Sequence, residues 1–322
     1  MRGYSHKATQ FLGYSIKILI LAMVLLFVWQ RVTRDTTTIL EVFKSNVNTL
    51  FTYSNIAILL LLSILNWLFE VYKWKTLAKH CSPISTKESL LQSLKAHIVS
   101  LITPAKIGEY GAKALFFPAP LRKKTLFLTL LGNGYQMLAT TVFGVLGIGI
   151  CSYYLFPAFI GYYLILVLVL IVLFYGTPKL LHHIHWSIKG YSWQRIRDFM
   201  KTIASSNKHK ALFFSFARYL IFAHQFYFLL VLFQVDVSYI LAMGLIATMY
   251  VLSSIIPMLQ LFDVVLKTGV AVAVFSWIDA PEITIVSITC IMWFFNMVLP
   301  IIPGSYFILT DTSLSTQKTM SI

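Results

Sequence analysis

Leu101-Ile102-Thr103-Pro104-Ala105-Lys106-Ile107-Gly108-Glu109-Tyr110-Gly111-Ala112-Lys113 is a short charged break in a chain that otherwise suits lipid better than water. Pro104 interrupts any helix arriving from its N-terminal side, because its ring lacks an N–H and clashes one turn back. Gly108 and Gly111 weaken helix and let other backbone approach closely. Glu109 and Lys113 are four apart, so on a helix they share a face and can pair. A backbone break carrying an ion pair among apolar spans is how membrane proteins build a polar site at depth.

The rest of the composition supports that setting. Of 322 residues, 58% are hydrophobic and 11% charged, against about a quarter charged in a soluble domain. The reading is an all-α, polytopic transmembrane helix bundle. The length allows about seven to eight spans, at about 20 apolar residues each, with two or three segments interrupted or re-entrant. Residues 1–310 form one integral membrane domain, and 311–322 a flexible polar tail. The net charge is +15, yet beyond residue 222 the only cations are Lys267 and Lys318. Such asymmetry is the mark of cytoplasmic loops rather than of nucleic-acid binding. It also favours anionic lipid headgroups at that surface. Cys81, Cys151 and Cys290 have no paired spacing, so neither a disulfide framework nor a metal site is expected.

Outward from the opening stretch, complete spans read as 11–30, 53–72, 126–150, 156–175, 212–233 and 239–256. Residues 257–277 and 283–309 are broken by Pro257 and by Pro300 and Pro303. Lys73, Lys75 and Lys79 mark one cytoplasmic exit. The strongest is the loop 177–210, where Lys179, Lys189, Arg195, Arg197, Lys201, Lys208 and Lys210 face one acid, Asp198. These charges place the N-terminus in the cytoplasm. Residues 85–103 alternate Leu90, Leu91, Leu94, Ile98 and Leu101 with Lys87, Glu88, Gln92 and Lys95. That is the pattern of an amphipathic helix lying at the interface or entering part-way. The seven tryptophans fall mostly near span ends, as in an aromatic belt.

The opening pattern has an echo. Pro257 is followed by Asp263 and, four residues later, Lys267, as Pro104 is followed by Glu109 and Lys113. In both the acid precedes the lysine, the better order on a helix. Paired interrupted segments in two halves are how inverted repeats build a mid-membrane site.

The run Pro104 to Lys113, with Gly108-Glu109 at its centre and a basic turn and Gly-rich span after it, resembles the membrane region of lysylphosphatidylglycerol synthases and their stand-alone flippase-like relatives. In that family a proline and Gly-Glu are usually followed by an arginine; here Lys113 stands in its neighbourhood. The second loop, Pro257 to Asp263, lacks the family's several glycines and glutamate. The resemblance implies a membrane module in the bacterial inner (cytoplasmic) membrane that moves lipid between leaflets. The synthases' soluble aminoacyl-transfer domain has no counterpart among these residues.

The expected translocation site is lined by Glu109, Lys113, Asp263 and Lys267, with Lys106 either meeting phosphate or anchoring at the interface. Asn133 and Gln136 share a helical face and either line the groove or bond between helices. Arg218 either joins the groove or snorkels from the start of its span. Glu70 and Lys73 read as an interfacial pair, and Asn296 as a partner for backbone freed at Pro300. The structural breaks are Pro104, Gly108, Gly111, Pro257, Pro300 and Pro303. His182, His183 and His185 lack nearby carboxylates or thiols, so no metal and no cofactor is expected. The expected partners are membrane lipids with phosphate-bearing headgroups, and a separately encoded transferase is another. Two rival classes stay open: a membrane enzyme, or enzyme subunit, of lipid-linked aminoacyl or glycosyl transfer, and a scaffold for a partner transferase. The sequence shows no catalytic constellation.

Overall fold

A computed structural model of the chain describes residues 48–101, 103, 106–183, 187–188, 191–256 and 262–310, together with 41, 45 and 46. The expected first span, Pro104, Pro257, His185 and the polar tail lie outside the described residues.

The described part is helical apart from a two-residue antiparallel ladder, Ser187–Ile188 with Tyr191–Ser192. The α-helices run α1 Tyr53–Ala78, α2 Thr86–Leu101, α3 Ile107–Leu115, α4 Ala119–Tyr154, α5 Ile160–His183, α6 Trp193–Thr202, α7 Ser205–Leu232, α8 Tyr239–Ile255, α9 Asp263–Phe275, α10 Glu282–Trp293 and α11 Ile301–Thr310. Among the described residues, four helical stretches are long and apolar enough to cross a membrane: α1, α4, α7 and Glu282–Tyr306. Tyr239–Ile255 is apolar but shorter, and α5 is apolar over the part whose side chains are described, up to Val172. The expected count of seven to eight spans is thus met in part among the described residues, which do not include the expected first span.

The inward stripe of α1 explains what this bundle is built around. Leu59, Ser63, Asn66, Glu70, Lys73, Trp74 and Leu77 are buried and recur at three- and four-residue steps, so they lie on one face. Ile58, Leu61, Ile64, Leu68 and Tyr72 point outward and are exposed. Ser63, Asn66, Glu70 and Lys73 are inside while large apolar side chains face out, the reverse of a water-soluble helix. α1 packs along α7, and α4 along α8. One apolar cluster joins α7, α8, α9 and α10 through Leu229, Leu245, Phe275 and Ile285. A second closes the other end, where Trp74, Leu77, Phe117, Leu128, Ile203 and Ala211 meet. The basic loop is tied to this end: Phe199 of α6 stands 5.4 Å edge-on to His80 and 5.7 Å from Phe127.

The α4–α8 crossing is set by absent side chains. A Cβ at Gly147 would stand 2.6 Å from the Gly244 carbonyl oxygen and 2.7 Å from Ala247 Cβ. One at Gly244 would stand 2.7 Å from Ile150 Cγ2. Small residues at such crossings let membrane helices approach closely.

α2 differs from its expected placement. Its polar face is the buried one, carrying Ser89, Gln92, Ser93, Lys95 and Ser100. The Ser89 hydroxyl donates to the Val71 carbonyl at 2.7 Å. A Cβ at Gly304 of α11 would meet Ile98 Cδ1 at 2.9 Å, so α11 covers the opposite flank. The helix is packed into the bundle because α1 offers it polar partners.

Its start is a capping box, Ser85-Thr86-Lys87-Glu88. The Glu88 amide donates to Ser85 Oγ at 3.1 Å, and the Ser85 amide donates to Glu88 Oε2 at 2.6 Å. The backbone bond from Ser85, with the side-chain bond second, holds the Glu88 carboxyl below its ordinary value of 4.5. A depressed carboxylate stabilises the fold fully above its unfolded value, and the contribution is lost as pH falls through the folded value. Ser85→Ala removes the hydroxyl and keeps the backbone donor, so Glu88 is expected to move only part of the way up toward the ordinary range. A carbon-13 titration of the Glu88 carboxyl checks this, and an unchanged midpoint would show that the hydroxyl has no part in the shift.

Candidate functional site

Glu70 is the centre of the buried charge. It forms an ion pair with Lys73 Nζ at 2.6 Å, accepts from Lys113 Nζ at 3.5 Å, and forms a short ion pair with Arg218. Lys73 and Lys113 side chains are each 3% exposed, that of Glu70 11% and that of Arg218 19%, so the two lysines are the most deeply buried charges of the group. Glu109 pairs with Lys113 at 2.7 Å on one face of α3, at the expected spacing of four. Asn133 of α4 donates to Glu109 Oε2 at 3.4 Å. The Lys113 ammonium also lies 4.5 Å from the centre of the Trp74 ring, a cation–π contact of about 0.5–2 kcal/mol. Trp74 in turn donates its indole N–H to Gln92 Oε1 at 2.7 Å. Five ionised side chains from α1, α3 and α7 thus share one interior region, with α2 and α4 as walls.

A chain of amides leads away from Arg218. Arg218 Nε donates to Asn66 Oδ1 at 2.9 Å, and Asn66 Nδ2 donates to Asn296 Oδ1 at 2.9 Å. Asn296 Nδ2 donates to Gln225 Oε1 at 2.8 Å, and Gln225 Nε2 donates to Ser63 Oγ at 2.9 Å. Asn296 belongs to a π-helical turn, Phe294–Val298, between α10 and the break at Pro300. Such turns leave carbonyls outside the α pattern. The Asn296 and Met297 carbonyls are met by Trp67 Nε1 at 3.3 Å and by His97 Nε2 at 3.2 Å. Asn296 therefore bonds across helices as well as locally, to Met292 O at 3.0 Å.

Several sequence expectations change here. Arg218 lies in the middle turns of α7 and points into the bundle, because Glu70 and Asn66 give it charged and neutral acceptors there; it does not snorkel. The Glu70–Lys73 pair is central and buried rather than interfacial. Trp74 is 1% exposed and belongs to the site, not to an aromatic belt. Gly108 and Gly111 lie inside α3 and do not break it. Gly108 is instead needed for contact: a Cβ there would stand 2.6 Å from the Val99 carbonyl. The turn before α3 is made by Lys106, at φ 59, with its side chain exposed. Pro303 sits in the first turn of α11, where proline is tolerated, so the break in this region falls at Pro300.

Gln136 lies one turn from Gly132, which faces Lys73 and Leu77, but both of its amide atoms are buried without a hydrogen-bond partner. The expected interhelical bond from Gln136 is thus not formed among the described residues. Asp263 and Lys267 pair at 2.6 Å, with side chains 29% and 40% exposed. Among the described residues, no hydrogen bond or ion pair joins them to the Glu109 region. The residues that the sequence reading left out of the site, Glu70, Lys73, Trp74 and Asn66, carry a signal in their spacing: four polar or amphipathic residues at one helical face of an apolar span. Among the described residues, no three of His, Cys, Asp or Glu come together to hold a metal.

No protein-family model matches the chain, and no curated protein matches it.

Proposed function

We propose that the chain is an integral membrane protein that passes a lipid with a phosphate-bearing headgroup between leaflets, the headgroup travelling through the polar interior while the tails stay in the bilayer. The observation that carries this reading is the sign of the buried cluster. Lys73, Lys113 and Arg218 outnumber Glu70 and Glu109, leaving one positive charge in excess in a largely buried cluster. Ionisable groups at membrane depth are costly and mark pathways for polar cargo. An excess cation there favours an anion, and a phosphate oxygen accepts well from lysine and guanidinium donors. The unpartnered Gln136 amide supports the same reading, since an orphaned buried amide costs about 1–3 kcal/mol that a polar cargo would recover. The likeness of the Pro104–Lys113 run to flippase-like membrane modules points the same way.

The test is reconstitution into liposomes holding labelled anionic, zwitterionic and lysyl-modified phospholipids, with leaflet exchange followed by dithionite quenching. Exchange is expected above that of protein-free liposomes, and Lys113→Gln, which removes the excess positive charge, is expected to slow it about tenfold, equivalent to about 1.4 kcal/mol in the barrier. Wild-type exchange no faster than empty liposomes would sink the proposal.

A further inference from the structure

α4 carries a buried polar side chain whose hydrogen bonds are unspent. The inward stripe of this helix includes Thr125, Leu128, Thr129, Gly132, Ala139 and Thr140, and the helical step puts Gln136 in the middle of it. Thr125, Thr129 and Thr140 each donate their hydroxyl to a carbonyl one turn back on α4 itself. Gln136 has no such outlet: both of its amide atoms are buried without a hydrogen-bond partner. A buried amide left so costs free energy that an apolar side chain of the same size would not.

The register of α4 on α1 shows what this amide lies against. Thr125 meets Cys81 at 3.9 Å, and a Cβ at Gly132 would stand 3.0 Å from Leu77 Cδ1 and 3.7 Å from Lys73 Cε. The two helices therefore run antiparallel here, and the next turn of α4 brings Gln136 level with the turn from Glu70 to Lys73. Helical side chains lean toward the N-terminus of their own helix. That carries the Gln136 amide back over Gly132, where α4 has no side chain, toward Lys73. Lys73 is buried and ion-paired with Glu70 at 2.6 Å, yet its ammonium makes no aligned hydrogen bond. Lys73, Lys113 and Arg218 share the two oxygens of Glu70, so the lysine has donors to spare.

We propose that Lys73 and Gln136 seat the phosphate of the headgroup, the ammonium and the amide N–H donating to one phosphodiester group. The proposal rests on the lipid-translocating reading and names where in the interior the headgroup is held. The chemistry of the two groups selects an oxyanion, because both have N–H donors to give and phosphate oxygens accept strongly from charged donors. A phosphodiester carries one negative charge. That balances the single cation by which Lys73, Lys113 and Arg218 exceed Glu70 and Glu109. The amide oxygen of Gln136 is left to accept from a hydroxyl or amine in the rest of the headgroup.

The experiment separates a cargo contact from a structural one. The full chain is purified in detergent as wild type, Gln136→Met, Lys73→Met and, as control, Thr140→Val, whose hydroxyl is spent on its own helix. Native mass spectrometry measures binding of dioctanoyl phosphatidylglycerol and of dioctanoylglycerol, which lacks the phosphate, with inorganic phosphate as competitor. Melting temperatures are taken without lipid. Gln136→Met is expected to melt at or above wild type, since it removes an unpaired buried amide, and to bind phosphatidylglycerol about tenfold more weakly. Lys73→Met leaves two cations against two acids, so it is expected to fold and to lose at least as much binding. If it does not fold, Gln136→Met carries the test alone. Thr140→Val is expected to bind as wild type does. Competition by inorganic phosphate supports a seat open to the free oxyanion as well as to lipid. Its absence, with phosphatidylglycerol binding still lost in Gln136→Met, supports a seat for the lipid headgroup. Undiminished phosphatidylglycerol binding in Gln136→Met overturns the proposal. So does a melting temperature several degrees lower in that variant, the mark of an amide that serves the fold through internal water. Binding is read without transport. A wild type that binds through Gln136 but exchanges no lipid between leaflets keeps the seat and loses the translocation reading.

Discussion

Glu70→Ala is expected to destabilise the protein by about 3–5 kcal/mol, the range for removing one partner of a buried ion pair. The carboxylate is shared by Lys73, Lys113 and Arg218, so its loss leaves three cations facing one another with Glu109 as the remaining counter-charge. Most of the cost is the desolvation of charge that has lost its partner, which no rearrangement within a largely buried cluster can recover. Glu70→Gln keeps the acceptor oxygen and the volume but not the charge, and is expected to fall between wild type and alanine. Pairing Glu70→Leu with Arg218→Met removes one charge of each sign and is expected to recover part of the loss, since apolar groups of similar size can replace a buried pair at little cost. Denaturant unfolding in detergent micelles, followed by tryptophan fluorescence, gives the order. A loss under about 1 kcal/mol for alanine, the size of an exposed pair, would mean that water reaches the cluster.

Gly147→Val is expected to cost about 1–3 kcal/mol or more through overpacking. The obstacle is backbone: the Gly244 carbonyl oxygen and the Thr248 nitrogen lie 2.6 and 3.0 Å from where the Cβ would stand. A flexible side chain could turn aside, but these atoms move only if α4 and α8 separate along the crossing. A Cβ at Gly144, one turn earlier, would overlap the Val251 side chain, and alanine there is expected to be tolerated no better. The readout is the melting temperature of the purified variant beside wild type. An unchanged value would show that the crossing is looser than the close approach of Gly147 and Gly244 implies.

Composition and periodicity make the helical, lipid-suited character legible at once, since 58% hydrophobic content with 11% charge leaves few other choices. The Glu109–Lys113 pair is legible too, because its partners are four residues apart on one helix. The centre of the site is harder to read. Glu70 and Arg218 are 148 residues apart, and nothing local tells that α1 and α7 lie side by side. Arg218 near a span start has the same local pattern whether it reaches for the interface or for a partner inside; the partner decides. Trp74 shows the same limit: a tryptophan after a span reads as a belt residue until Gln92 and Lys113 close around it. In α2, leucines and polar residues alternate with a helical period, and the period alone does not say which face the neighbours will cover. The spacing of Ser63, Asn66, Glu70 and Lys73 was the available clue, since polar residues on one face of an apolar helix must look inward.

The amide chain from Arg218 to Ser63 has a sense of direction. A guanidinium only donates, so Asn66 must turn its oxygen to Arg218 and its nitrogen to Asn296. Asn296 must then present oxygen to Asn66 and nitrogen to Gln225, and Gln225 oxygen to Asn296 and nitrogen to Ser63. No amide in the row can flip alone without setting two donors or two acceptors against each other. The direction is pinned at the far end as well, because the Met292 and Leu59 carbonyls accept from Asn296 Nδ2 and Gln225 Nε2. Drawing Arg218 away from Asn66 therefore strips one amide oxygen of its charged donor and leaves the rest of the row set, so the turn at Asn296 near Pro300 is insulated from the charged end.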